Sequence, residues 1–136
     1  MLVYFGVARV PTKDQHIEQA QHNEAFCNFL SGLATPRPYL DCEIAGLFYA
    51  AVHYIDAILA TKLTTGIHPR DHLQRNHLVS TVTDFAAINT QYLQLENRRR
   101  NAQYDLIKSS EANVQTFREN LFNPIRTDVR HKLGLH

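Results

Sequence analysis

Tryptophan is absent from the 136 residues, methionine occurs once, and glycine and proline occur five times each. So few turn formers, with few alternating β-branched runs, exclude a sandwich or barrel of many short strands. The two cysteines, Cys27 and Cys42, are too far apart for a CxxC pair and too few for a disulfide framework. They read as buried thiols of a reducing compartment. Charge of one sign is not in excess either: 14 Lys+Arg face 13 Asp+Glu, a formal +1, so no global field draws the chain to nucleic acid or membrane. The opening MLVYFGVARV is apolar but lacks a basic leader and a small-residue cleavage site, and it is far short of a membrane span. Residues 1–12 are expected as a tail or short strand on a cytoplasmic protein with no membrane partner.

What is present points to helices. At 44% hydrophobic and 20% charged the chain can bury roughly two-thirds of its unfolded surface, as one domain over 1–136 with a helical core at about 14–133. The expected fold is all-α, an antiparallel up-and-down bundle of four to five helices. Ile17, Ala20, Cys27 and Leu30 mark a helix from Asp14 to Leu33, stopped by Gly32 and Pro36-Arg37-Pro38. Asp41 is placed to cap a second helix that reaches Leu63 and closes at Gly66. That helix carries a bulky stripe and a second one of small residues, Gly46, Ala50, His53, Ala57 and Ala60, suited to close approach by another helix of the same chain or of a second subunit. Pro69 is expected at the first position of a third helix ending near Val82. Thr83 or Asp84 should cap a fourth helix through Asp105. A fifth places Val114, Phe117, Leu121, Ile125, Val129 and Leu133 in register, with Pro124 expected to kink or split it.

One charge breaks this pattern. Residues 1–67 carry four basic and six acidic side chains and residues 68–136 carry ten and seven; ten of the 14 cations are arginine, the cation suited to bidentate pairing with carboxylate or phosphate. On the fourth helix the core stripe Phe85, Ile88, Tyr92, Leu95 continues at the same spacing to Arg99 and Ala102. Arg98, Arg99 and Arg100 fan through about 200°, so at least one must turn inward, where an unpaired cation is costly. Asp56 and Asp105 are the candidate partners; an anion or RNA contact, with Asn101 alongside, is the functional alternative.

The segments FYAAVHYIDAILA (48–60), GIHPRDHLQR (66–75) and RRNAQYD (99–105), with Gln19, Ala20, His22, Asn23 and Phe26 ahead of Asp41, resemble the HEPN superfamily of small helical bundles. The resemblance spans about residues 15–106. It implies a bundle that dimerises and acts in RNA-linked toxin-antitoxin or defence systems, in some cases beside a nucleotidyltransferase, and in many members as a metal-independent ribonuclease. The implied catalytic pattern is an arginine followed four to six residues later by a histidine. An arginine of this kind can neutralise a scissile phosphate while the imidazole moves the proton. Here the position matching that histidine from Arg99 is Tyr104, a poor proton shuttle at neutral pH.

These readings lead to a homodimeric binding or regulatory module with RNA or nucleotide as ligand and no cofactor. Two alternatives stand beside it. One is a ribonuclease using Arg99 with Tyr104 or His53, the latter one turn from Asp56; the other is a purely structural assembly subunit. His68, His72 and His77, interleaved with Arg70 and Arg75, lack the glutamate or cysteine that would complete a metal sphere. They are expected instead as a polar surface, with Arg98, Arg100, Asn101, Asp56, His68, Arg70, His72 and Arg75 as binding candidates and no metal.

Overall fold

The computed structural model describes residues 10–64, 66–104 and 108–135, and all regular elements among them are helical. The order is α1 (Lys13–Ser31), α2 (Leu40–Leu59), α3 (His72–Thr81), a 3-10 turn (Thr83–Phe85), α4 (Asn89–Tyr104), α5 (Glu111–Thr116), a π turn (Phe117–Phe122) and α6 (Asn123–Lys132). Residues 1–9, Asp105 and the side chain of Tyr104 lie outside the described set, and with them the expectations placed on these residues.

Thr12 starts α1 through a reciprocal capping box with Gln15 (3.2 and 2.9 Å), which satisfies two otherwise open amides. α2 begins two residues earlier than expected, so Tyr39 rather than Asp41 is the cap, and no side chain bonds there. Glu43, fully buried in the first turn, is held instead by Arg37 (Nη2–Oε1 2.5 Å). α2 also ends early, at Leu59. The chain reverses through Leu63 (φ 57°) and Gly66 (φ 80°), and the Ile67 amide closes the turn on the Leu59 carbonyl at 2.9 Å. A side chain at Gly66 would adopt a left-handed backbone with its Cβ 3.0 Å from the Ala60 carbonyl oxygen. α3 starts at His72 rather than Pro69, because Asp71 accepts the Gln74 amide at 2.8 Å and sets the helix start.

α2 is the central rod. His16 meets His53 and Cys27 Sγ reaches the Glu43 carbonyl, so α1 runs antiparallel to it. Phe48 packs on Tyr92 and Arg99, while Tyr54 meets Arg130, placing α4 and the last helix on its other sides. α2 is long and apolar enough to cross a membrane by length and composition, but 72% of that stretch is buried inside the bundle. The small-residue stripe faces α1: Ala50 and Ala57 are fully buried, and a Cβ at Gly46 would collide with Cys27 Sγ. The neighbour that this stripe accepts therefore belongs to the same chain.

Phe85, Ile88, Tyr92 and Leu95 are buried in the expected register, as are Val114, Phe117, Leu121, Ile125 and Val129; each large apolar side chain so enclosed contributes roughly 1.5–3 kcal/mol. Pro124 does not split the last helix. The π turn before it shifts the ladder, with the Asn123 amide bonding the Arg118 carbonyl, so the missing proline N–H is absorbed without a break.

Candidate functional site

The third and fourth elements bring a chain of polar groups into the bundle. Asp71 capping and the Gly66 turn aim α3 back at α2, so that Arg75 meets Asp56 through two parallel bonds, Nε–Oδ1 2.8 Å and Nη2–Oδ2 3.0 Å. Both residues are buried. Arg75 Nη1 lies 3.2 Å from His72 Nδ1; since guanidinium only donates, that nitrogen accepts and the His72 proton sits on Nε2. Burial, followed by Arg75 and Arg99, lowers the His72 pKa below the usual imidazole value. The Tyr92 hydroxyl is enclosed beside this pair, its acidity suppressed by burial.

Arg99 is buried, 2% exposed, as the helical spacing required. Among the described residues its partners are Glu96 and Gln103 rather than Asp56. Nη2 bonds Glu96 Oε1 at 3.0 Å, Nη1 bonds Gln103 Oε1 at 3.0 Å, and the guanidinium carbon sits 4.4 Å above the Phe48 ring. Asp56, the expected partner, is engaged by Arg75. Arg100, largely exposed, adds a second contact to Glu96 at 3.2 Å. The sequence reading missed Glu96, although its i,i+3 spacing to Arg99 is the signal that points to this pair.

His53 faces α1 rather than Arg99. Its Nδ1 is 3.1 Å from His16 Nδ1, so one ring donates and the other accepts, and the two hold opposite tautomers. Burial lowers both pKa values most; Asp56 raises both, Arg75 lowers both, and His68 acts on His16. The pair borders an open depression shared with Gln15, Glu18, Gln19 and His22. His16 has no local sequence signal, because its role comes from a residue 37 positions away.

The histidines 68, 72 and 77 do not converge. His72 belongs to the Arg75 cluster, while His77 lies on the surface with Arg70 beside a shallow hollow of α3. Among the described residues no three His, Cys, Asp or Glu side chains form a metal-ligating group.

Arg98 and Asn101 point elsewhere, into a cleft of about 380 Å³ between α2, α4 and the start of the last helix. Lys108, Ser109, Asn113 and Thr116 complete its polar wall, and Ile44, Ala102 and Phe117 form its apolar side. Comparison with protein-family models, with curated proteins and with solved structures found no match for this chain.

Proposed function

We propose that this protein is a HEPN-like, non-catalytic binding module of the cytoplasm that pairs as a homodimer and engages RNA or a nucleotide, in concert with a nucleotidyltransferase in a toxin-antitoxin or defence setting. The observation that carries the non-catalytic reading is the burial of both guanidiniums that could meet a phosphate. Arg99 is held by Glu96 under Phe48 and Arg75 is clasped by Asp56. A guanidinium enclosed in the bundle interior is out of reach of a scissile phosphate in solvent. Dimerisation is supported by exposed apolar side chains, Phe26 and Phe29 of α1 and Leu33 just after it, with Phe26 sharing a hollow with Tyr49 of α2, since isolated soluble domains seldom expose such patches.

The ribonuclease reading draws on one observation, the contact of His72 Nδ1 with Arg75 Nη1 at 3.2 Å. Labelled structured RNA incubated with the protein in EDTA separates the two. Retention of intact RNA, with affinity that falls steeply as salt rises, is the expected result. Metal-independent cleavage abolished by His72→Gln or His53→Gln overturns it. Sedimentation should report twice the 15.6 kDa mass of one chain, and a monomer at all concentrations removes the homodimer.

A further inference from the structure

The cleft between α2, α4 and the last helix has an unusual charge inventory. Among the described residues two cations line it, Arg98 and Lys108, and no carboxylate does. Elsewhere on the bundle the cations are mostly matched: Arg37 with Glu43, Lys62 with Asp84, Arg75 with Asp56, Arg100 with Glu96, Arg126 with Glu24 and Lys132 with Asp128. Among the described residues neither Arg98 nor Lys108 has a carboxylate partner. Two cations lining one concavity create a local positive potential that no described carboxylate pairs with.

The rest of the lining adds direction to that charge. Asn101 and Asn113 carry amides and Ser109 and Thr116 carry hydroxyls, groups that both donate and accept. Ile44, Ala102 and Phe117 give the opposite wall an apolar face. A cleft of about 380 Å³ lies within the roughly 300–1,000 Å³ of small-molecule sites. A neighbouring groove shares Ala102, Lys108 and Ser109 and runs on to Arg37 and Asp41, so a ligand larger than the cleft has an exit path.

We propose that this cleft is a phosphomonoester site: Arg98 and Lys108 hold a terminal phosphate, and the amides and the apolar wall hold the compact body that bears it. A phosphomonoester carries close to two negative charges at pH 7, which matches the two cations, whereas a chain-internal phosphodiester carries one. The proposal rests on the binding-module reading and narrows it to a ligand chemistry. It also separates the site from the buried Arg75 and Arg99 clusters, which the cleft does not touch. The phosphate can come from a free mononucleotide or from the end of an RNA strand.

Calorimetric titration of the full chain tests this with AMP, adenosine, inorganic phosphate, and one oligoribonucleotide carrying either a 5′-phosphate or a 5′-hydroxyl. AMP is expected to bind at least about tenfold more tightly than adenosine, the worth of one charge-assisted contact. Arg98→Gln and Lys108→Gln should each cost about tenfold by the same measure, while Lys13→Gln, at the exposed start of α1, should cost nothing. Because Arg98 and Lys108 are exposed, these variants should keep the wild-type helical signal. A 5′-phosphate preference of the oligoribonucleotide with competition by AMP assigns the site to strand ends; AMP binding with no RNA binding keeps the site and removes the RNA reading. Equal affinity for AMP and adenosine, or AMP affinity unchanged in the double variant, overturns the proposal. RNA binding that ignores the terminal phosphate and AMP also overturns it, while leaving the broader reading in place.

Discussion

His16 on α1 and His53 on α2 face each other Nδ1 to Nδ1 at 3.1 Å, so the two rings share one proton and cannot accommodate two. Their contact pins the first half of α1 to the central helix, and the electrostatic cost of charging it is built into the fold.

Stability should therefore depend on pH through this pair. Burial lowers both folded pKa values from the ordinary 6.5, so below that value the unfolded chain binds more protons than the folded one. The contribution is complete above about pH 6.5 and is lost as pH falls from there through the folded values, at up to about 1.4 kcal/mol per pH unit for each histidine. Urea unfolding at pH 7.5 and pH 5.5 measures the loss, and His53→Gln should flatten it. An unchanged pH slope in that variant would rule out the pair as its source, leaving His72, which is shifted in the same direction.

Asp56→Ala should destabilise by about 3–5 kcal/mol, because it strands the buried Arg75 cation. Adding Arg75→Leu should recover most of that loss by removing the uncompensated charge. Denaturation midpoints of the two variants check the sign, and a double variant no better than the single would show that the pair does more than cancel itself.

Gly46→Ala should cost about 1–3 kcal/mol by forcing α1 away from α2 at Cys27 Sγ. Combining it with Cys27→Ala removes the clashing sulfur, and thermal melting should show partial rescue.

Native protein should react with a thiol reagent at one cysteine only. Cys42 is exposed, whereas Cys27 is fully buried and its thiol is pushed up to about 12 by that burial, which starves it of nucleophilic thiolate. Denaturant should release the second thiol; two fast-reacting thiols in the native state would contradict the α1 packing.

Arg99 illustrates how far the sequence reached. Its burial followed from the stripe Phe85, Ile88, Tyr92 and Leu95, and Glu96 three residues earlier was within helical reach. Asp56 was assigned to Arg99 or His53, but Arg75 holds it, since the choice among these partners depended on where the Gly66 turn sent α3. Likewise the small face of α2 was legible as a close-packing surface, yet that α1 fills it emerged from the fold.

The order of amino acids by itself determined that this chain is helical, where most of its helices run and which sides of them turn inward, because a helix repeats every 3.6 residues and its side-chain pairs lie three or four positions apart. Only the tertiary structure decided that His16 meets His53, that Asp56 belongs to Arg75, and that Arg98 shares a cleft with Lys108. Those pairings join different elements, and turn directions and helix crossings set them at separations no local periodicity encodes.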